Sequence, residues 1–322
     1  TLKGAFKMAY KISGTKNDTA RIFVVNEDTN TLETQVLVSG TGSYEISNLV
    51  AGRKLIIARK LDGESIAFGY VSSVEIPYVP GDRGVFGGGY TTFNAIDYIT
   101  IATKSNATDF GDLTSDRYRL AACSSSTRGV FGGGATVNVL DYITISTPGN
   151  ASDFGDLTLA RYDLTACSSS TRGVFGGGYD DVAPINALDY ITIDTTGNAT
   201  DFGDLTLARY FFAACSSSTR GIFGGGNIGV ALNVVDYITI ATAGNATDFG
   251  DLTIARGYFA ACSSSTRGIF GGGYGGVNSN VMDYITIATA ANASDFGDLT
   301  LTRYALAACS SSTRGIFGGG YD

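Results

Sequence analysis

Short apolar segments separated by Gly, Asn, Asp and Ser recur along residues 83–322 of this 322-residue chain. Stretches such as YITI alternate large apolar side chains with a polar one, which is the two-residue period of a β-strand. The sequence contains neither a helical period of apolar residues nor the capping signals that begin a helix. The pattern therefore predicts that this part of the chain consists of β-strands, with four strands to each repeating unit.

The motif Arg-Gly-(Val/Ile)-Phe-Gly-Gly-Gly marks each unit of the internal repeat. It occurs six times, with spacings of 45, 44, 48, 47 and 47 residues. Its arginines are Arg83, Arg128, Arg172, Arg220, Arg267 and Arg314. After each of the first five motifs come a variable stretch, DYITI, a turn with Asn-Ala-(Thr/Ser), DFGD and ACSSS. Four strands in a unit of this length predict one blade of a β-propeller, and a solenoid, whose coils usually take about 20–30 residues, is the alternative.

The repeat count leaves the closure of the predicted ring open. The Gly-rich motif occurs six times, whereas DYITI, DFGD and ACSSS occur five times each. The last residues, FGGGYD, match the start of a further unit, so we expect five complete repeats and a further one begun. One interpretation is a natural chain that continues to a ring of six or seven blades. The other is a first or last copy that acts as a clasp.

The order of these motifs resembles the kelch-repeat family. In that pattern a Gly doublet ends one strand, an aromatic residue precedes a hydrophobic one in a later strand, and an Arg comes before the next blade. In the third unit the matching residues are glycines 176–178, Phe202 with Leu205, and Arg209. Phe stands at the position where the family has Trp. The resemblance implies an all-β chain with a kelch-like β-propeller of four-stranded blades over residues 83–322.

Residues 1–76 do not repeat and predict a separate module. Alternating apolar segments are broken by turns such as the one at Asp28 and the Asp-Gly pair at 62–63. Six or seven short strands in this length predict a small β-sandwich. The stretch resembles transthyretin-like, carboxypeptidase-regulatory-type modules through Arg21, the turn at Asp28 and the strand from Tyr44. Residues 77–82, which contain Pro77 and Pro80, predict a short, stiff linker.

Charge differs between the two parts and limits the classes of function. Residues 1–76 carry nine Lys/Arg and eight Asp/Glu, whereas residues 77–322 carry 13 basic and 22 acidic residues, each acid being Asp. An acidic repeat region argues against nucleic-acid binding, which needs basic surfaces. His is absent, which removes Ser-His and Cys-His nucleophiles and the copper ligands of kelch-type oxidases. We therefore expect no enzymatic activity, no cofactor and no metal site, and no apolar run approaches a membrane span.

Cys and Asn each occupy one equivalent place in every unit. We expect the five cysteines to be buried free thiols, because sheets stacked about 10 Å apart exceed the reach of a disulfide. The repeated Asn is expected to bond backbone in its turn, although Asn-Ala-(Thr/Ser) is also a glycosylation acceptor.

Two roles are open for the repeated DFGD carboxylates. They could bind Ca²⁺, but we expect one Asp to cap a turn and another to pair with a repeated Arg such as Arg117 or Arg128. The second Asp of each pair is Asp112, Asp156, Asp204, Asp251 or Asp298.

The connections between strands divide between two faces of the predicted propeller. Those from strand one to two and from three to four share one face and are nearly constant. Those from two to three and from four to one share the other, the variable face, where Tyr and Phe accumulate. This favours a contact surface on the variable face, with neutral drift of loops as the alternative. The candidate contact residues are Tyr90, Phe93, Tyr118, Tyr162, Tyr179, Asp180, Tyr210, Phe211, Asn227, Tyr258, Tyr274 and Tyr304.

Arrays of DYITI, GNATDFGDLT and RGVFGGG resemble predicted tail-fibre or appendage proteins of bacteriophages. The resemblance implies a non-enzymatic component of the virion surface. Residues 1–76 would contact other virion proteins, and the propeller would bind a host-surface glycan or protein. The alternatives are a capsid or tail decoration protein with contacts to itself and a secreted, extracellular lectin-like propeller. A homo-oligomer is compatible with each, and the sequence indicates neither nucleic-acid binding nor membrane insertion.

Overall fold

The computed structural model divides the chain into two compact units, Thr1–Val79 and Pro80–Asp322. It describes residues 83–89, 93–101, 104 and 106–322 with their side chains, and six strands of the first unit by their backbone. Those six strands are β1 (Phe6–Lys11), β2 (Thr19–Asn26), β3 (Thr31–Ser39), β4 (Thr41–Ile46), β5 (Lys54–Lys60) and β6 (Ser65–Val71). All assigned elements of both units are strands, which confirms the all-β prediction.

The six strands of the first unit form two antiparallel sheets. β1 pairs with β4, and the other four lie in the order β3-β2-β5-β6. The predicted β-sandwich depends on how the faces of these sheets pack, and those side chains lie outside the described residues, as does the linker predicted at 77–82.

The second unit is a five-bladed β-propeller of antiparallel sheets. Blade 1 has three described strands, β7 (Arg83–Gly89), β8 (Phe93–Thr100) and β9 (Thr108–Asp112). Blades 2 and 3 are β10 (Ala121–Ser124), β11 (Arg128–Gly132), β12 (Val139–Thr144), β13 (Ser152–Asp156), then β14 (Thr165–Ser168), β15 (Arg172–Tyr179), β16 (Pro184–Thr192), β17 (Thr200–Asp204). Blades 4 and 5 are β18 (Ala213–Ser216), β19 (Arg220–Asn227), β20 (Ala231–Thr239), β21 (Thr247–Asp251), then β22 (Ala260–Ser263), β23 (Arg267–Gly271), β24 (Val281–Thr286), β25 (Ser294–Asp298).

A two-stranded sheet lies between blade 5 and blade 1. It consists of β26 (Tyr304–Ser310) and β27 (Gly315–Tyr321), and we name it the closing sheet. β26 contacts β22 of blade 5 on one side and β7 of blade 1 on the other. Arg314 Nη1 donates a 2.9 Å hydrogen bond to the Ile101 carbonyl of blade 1. The closing sheet therefore contacts both ends of the array of blades.

The repeated Arg-Gly positions lie where neighbouring blades touch. In blade 4, Arg220 donates to the Ile287 carbonyl of blade 5 at 3.0 Å, and its guanidinium lies 4.3 Å from the Tyr237 ring centroid. The same cross-blade bond recurs from Arg83, Arg128 and Arg172. The Gly after the Arg is needed for this approach in five of the six motifs, all but that of Gly129; a Cβ on Gly221, for example, would strike the Cys167 thiol of the preceding blade.

The five cysteines lie on the first strands, against the next blade. All five are free; four are buried and Cys309 is half-buried. Burial raises the pKa of the Cys123 thiol to about 12. The prediction of buried, free thiols is confirmed for Cys123, Cys167, Cys215 and Cys262.

The repeated Asn also joins blades. Asn245 Oδ1 in blade 4 accepts a 3.0 Å hydrogen bond from the Asp204 amide of blade 3. Equivalent bonds link Asn150 to Asp112, Asn198 to Asp156 and Asn292 to Asp251. The repeated Asn therefore bonds backbone as predicted, but that backbone belongs to the preceding blade and not to the turn in which the Asn lies.

The ion pairing predicted for the DFGD carboxylates is made by a different Asp. Asp236 lies in the DYITI strand β20 of blade 4. It pairs at 3.0 Å with Arg209, which follows β17, the fourth strand of blade 3. Both side chains have zero exposure. The same pair recurs as Arg117–Asp141, Arg161–Asp189 and Arg256–Asp283. The position of each Asp explains this pairing. The DYITI Asp is buried between two blades, whereas the first DFGD Asp, such as Asp201, is exposed.

In the part of the chain that the structure describes, no helix has the length and apolarity needed to cross a membrane.

Candidate functional site

The crossovers from the fourth strand of one blade to the first strand of the next converge at the variable face. Four of the five are anchored by the buried pair just described, which we name the clamp, and blade 4 is the example. In the fifth, Arg303 donates instead to the carbonyls of Phe317 and Gly319 in the closing sheet. Asp236 accepts from Thr206 Oγ1 at 2.6 Å and from the Thr206 amide at 3.2 Å, in addition to Arg209. Arg209 also donates to the Phe223 carbonyl at 3.2 Å. The clamp fixes the segment 206–209, so the next two residues, Tyr210 and Phe211, leave it in a defined direction.

The second residue after the Arg of each crossover, Arg303 included, lies in an open ring around the central channel of the propeller. These residues are Arg119, Asp163, Phe211, Tyr258 and Ala305. The amide of each of the last four donates to the carbonyl of the preceding member, at 2.9, 3.0, 2.8 and 2.7 Å. All five have left-handed backbone, with φ between 55° and 58°. Left-handed backbone is costly for bulky residues and marks functional positions, so the ring is a candidate site.

The aromatic side chains next to this ring form one continuous arc. Centroid distances are 5.8 Å for Tyr162–Tyr179, 5.3 Å for Tyr179–Tyr210 and 4.9 Å for Tyr210–Phe211. The Phe211 and Tyr258 rings stack at 3.6 Å, and Tyr304 lies 6.0 Å beyond. Tyr304 in turn contacts Tyr274 at 5.9 Å and Tyr321 at 5.6 Å. Seven of the candidate contact residues thus meet in one surface.

The arc and the ring border a cavity of about 980 Å³ at this end of the channel, which we name the channel mouth. This is the size of a pocket for a small ligand. Its lining includes Tyr118, Phe211, Tyr258 and Tyr304 among the predicted residues, glycines 87–89 of blade 1, and Tyr321 of the closing sheet. Arg119 and Asp163 are the only charged residues among the described ones that line it. The channel mouth therefore combines aromatic walls with one ion pair.

The ion pair is unequally exposed. Arg119 Nη1 lies 3.3 Å from Asp163 Oδ2, and the two side chains are 40% and 3% exposed respectively. The Arg119 guanidinium also lies over aromatic rings, 5.2 Å from the Phe211 centroid and 5.6 Å from that of Tyr162. Burial raises the pKa of the Asp163 carboxyl to about 7, and the Arg119 charge opposes that shift only in part. Asp163 is thus about half ionised near neutral pH.

Asp163→Asn is expected to stabilise the protein more at alkaline than at acid pH. The folded chain keeps a proton on Asp163 up to a pKa of about 7, whereas the ordinary value is 3.8. Between these values the folded state holds more protons than the unfolded state, so wild-type stability falls as pH rises. The free energy of unfolding of the variant relative to that of wild type should rise between pH 3.8 and about pH 7, by a few kcal/mol at most. Above that range the difference should stay constant. Asn tolerates the left-handed backbone of this position.

Urea unfolding of wild type and Asp163→Asn at a series of pH values measures this difference. A difference in the free energy of unfolding that is the same at every pH would contradict the burial of an ionisable Asp163.

Three of the predicted contact residues lie elsewhere. Asp180 Oδ1 accepts from the amides of Val182 and Ala183, at 2.9 and 2.8 Å, which lowers its pKa. Asn227 Oδ1 accepts from the Gly229 amide at 2.6 Å, so both side chains shape their own loops. Phe93 is 57% exposed at the start of β8 and does not line the mouth, and Tyr90 lies outside the described residues.

The prediction omitted Arg119, Asp163, Ala305 and Tyr321. The first three follow the repeated Arg by two positions, as Phe211 and Tyr258 do, and differ from blade to blade. That positional equivalence is a signal in the sequence. Selecting Tyr and Phe alone from the variable positions missed the charged pair.

The opposite end of the channel is lined by the ACSSS serines of blades 2–5 and the closing sheet. They border a depression of about 300 Å³. Some of these serines form hydrogen bonds between the first strands of neighbouring blades. Ser216 Oγ donates to the Ser168 carbonyl at 2.7 Å, and Ser263 Oγ donates to the Ser216 carbonyl at 2.8 Å. Within the described residues, no group of three or more Cys, Asp or Glu is arranged to hold a metal ion. The channel mouth is therefore the stronger candidate site.

No family model matches this chain, and no curated protein matches it. The kelch, bacteriophage and transthyretin-like resemblances therefore depend on the sequence motifs alone.

Proposed function

We propose that this protein is a non-enzymatic attachment component of a virion, a tail fibre or appendage, whose propeller binds a host-surface glycan or protein through the channel mouth. The observation that carries the proposal is the aromatic arc beside the ring of left-handed residues. Aromatic side chains supply large contact areas at low entropic cost, and they are enriched where binding energy is concentrated.

The backbone of the ring supports a role in binding over one in folding. Left-handed backbone costs a non-glycine residue about 1–2 kcal/mol, and glycine would adopt it freely. Phe211 and Tyr258 nevertheless occupy such positions at φ 56° and 57°, with their rings stacked at the mouth. Side chains held at a cost to stability are characteristic of functional sites.

The placement on a virion is supported by the resemblance of the repeat motifs to predicted bacteriophage tail-fibre and appendage proteins. In that placement, residues 1–76 attach to other virion proteins and the propeller faces outward. Mass spectrometry of purified particles, followed by labelling with an antibody against the propeller, tests it. Detection of the chain on particles is expected. Its absence from particles, with recovery from the culture medium, would favour a secreted lectin-like protein.

The double variant Phe211→Gly/Tyr258→Gly is expected to weaken attachment strongly without unfolding the protein. Loss of the stacked pair costs about 0.5–1.5 kcal/mol, which relief of two left-handed residues offsets. Affinity for host cells should fall by about tenfold or more, because anchoring aromatics dominate such contacts. Val230→Ala, at a 64% exposed side chain in the β19–β20 loop, is the matched control and should bind as wild type.

Cell-adsorption assays and a glycan array with wild type and both variants measure the effect. Unchanged adsorption of the double variant would contradict attachment through the mouth. It would leave the decoration role, with contacts between copies, as the remaining interpretation.

A further inference from the structure

The charge of the channel mouth differs from that of the rest of the propeller. Residues 77–322 carry 13 basic and 22 acidic residues, so the unit is strongly acidic. At the mouth, the described charged groups are a permanently protonated guanidinium and a carboxyl whose side chain is only 3% exposed. The accessible charge there is therefore positive.

The Arg119 side chain has hydrogen-bonding capacity left over. Its bond to Asp163 is a single contact of 3.3 Å, although a guanidinium carries five N–H donors in one plane. Its Cζ atom lies 5.2 Å from the Phe211 ring centroid, 5.6 Å from that of Tyr162 and 5.9 Å from that of Tyr118. Such ring contacts use none of the N–H donors, and it is these donors that form bidentate bonds to a carboxylate.

We propose that the channel mouth binds a carboxylate-bearing sugar, with Arg119 donating to its carboxylate and the Phe211–Tyr258 stack contacting its ring. This deepens the proposed function and rests on it. The apolar face of a sugar packs on an aromatic surface while its polar groups are directed by a few placed partners. Tyr258 and Tyr304 supply further hydroxyl groups beside the stack.

Asp163 competes with the ligand for Arg119. The charged or titratable groups that act on Asp163 are Arg119, Tyr162 and Tyr258, and Asp181 acts on Tyr162. Both tyrosines have a pKa raised to about 12, so they stay neutral. Protonation of Asp163 near neutral pH thus releases Arg119 for a ligand carboxylate. Binding of an acidic sugar should strengthen as pH falls.

The first experiment compares acidic glycans with their neutral counterparts on the full chain. A glycan array with sialylated and uronic-acid glycans identifies binders, and calorimetry with 3′-sialyllactose and lactose, or with a galacturonic-acid trimer and its carboxyl-reduced form, gives affinities. The acidic member of at least one pair should bind about tenfold or more tightly. Arg119→Gln should remove that preference. Lys104→Gln, which removes one positive charge at an exposed site away from the mouth, should retain it.

The second experiment repeats the titration with Asp163→Asn. Wild type should bind the acidic sugar several-fold more tightly at about pH 6 than at about pH 8.5, whereas the variant should bind tightly at both. Asn has the same shape and tolerates φ 56°, so the backbone of the ring is retained.

The outcomes separate this inference from the proposed function. Equal binding of acidic and neutral sugars, lost in Phe211→Gly/Tyr258→Gly, would overturn the inference and leave attachment through the mouth intact. Attachment to cells without binding of any glycan would also overturn it and would indicate a protein receptor. Binding of neither glycans nor cells would overturn both. An acidic preference that persists in Arg119→Gln would overturn the role of Arg119.

Discussion

Asp236→Asn is expected to destabilise the propeller by about 3–5 kcal/mol, because it leaves the Arg209 charge buried without its partner. Both side chains have zero exposure, and Arg209 retains one hydrogen bond to the Phe223 carbonyl. Its Nε and Nη1 atoms have no hydrogen-bond partner among the described residues, so nothing there compensates the loss. Urea unfolding followed by circular dichroism measures the change.

Asp201→Asn is the matched control, since Asp201 is an exposed carboxylate of the neighbouring DFGD strand. Its effect should stay within about 0.5 kcal/mol. The double variant Arg209→Met/Asp236→Leu should lose less stability than Asp236→Asn, because it leaves no unpaired buried charge. Equal losses for Asp201→Asn and Asp236→Asn would contradict the clamp.

Phe249→Ala is expected to cost about 3–5 kcal/mol, whereas the equivalent Phe296→Ala should cost about 1 kcal/mol. Each ring makes the same edge-to-face contact with the Tyr of its blade, at 6.1 Å for Tyr237–Phe249 and 6.2 Å for Tyr284–Phe296. Exposure differs: Phe249 is 2% exposed and Phe296 is 45% exposed. The difference between the two losses in the free energy of unfolding therefore measures how much a neighbouring blade stabilises the Phe that it covers.

Blade 5 covers Phe249, which lies in one apolar cluster with Ile285, Ile287 and Ala293 of that blade. The third-to-fourth turn of blade 5 also bonds the strand that carries Phe249. Asn292 Oδ1 accepts from the Asp251 amide at 3.1 Å, and the Ala293 amide donates to the Asp251 carbonyl at 2.7 Å. Blade 5 has no equivalent turn beside it among the described residues, because the closing sheet has two strands. Differential scanning calorimetry of both variants tests this, and equal shifts in Tm would contradict side-by-side packing of the blades.

The periodic features of the fold could be predicted from sequence. Four short apolar segments per repeat are enough to indicate a blade. An Arg-Gly or Cys at one place in every unit must meet the same neighbour each time, as Gly221 meets Cys167. The Asn contact followed from the same reasoning, although the sequence did not show that its partner belongs to the preceding blade.

The pairing of charges and the composition of the mouth could not be predicted in the same way. Each unit offers an Asp in DYITI and two in DFGD, and only the path of the crossover decides which of them meets Arg209. Arg119 and Asp163 are 44 positions apart, at equivalent places in neighbouring repeats, and the packing of neighbouring blades brings them together. Such contacts depend on how two blades pack, which no single repeat encodes.

Amide hydrogen exchange followed by NMR tests most directly whether five crossovers converge in a hydrogen-bonded ring at the channel mouth. The amides of Asp163, Phe211, Tyr258 and Ala305 each donate to the preceding ring member, although their residues border an open cavity. They should exchange as slowly as strand amides such as that of Val235, which is buried in β20. Exchange as fast as that of the exposed loop residue Asp181 would contradict the ring, and with it the channel mouth.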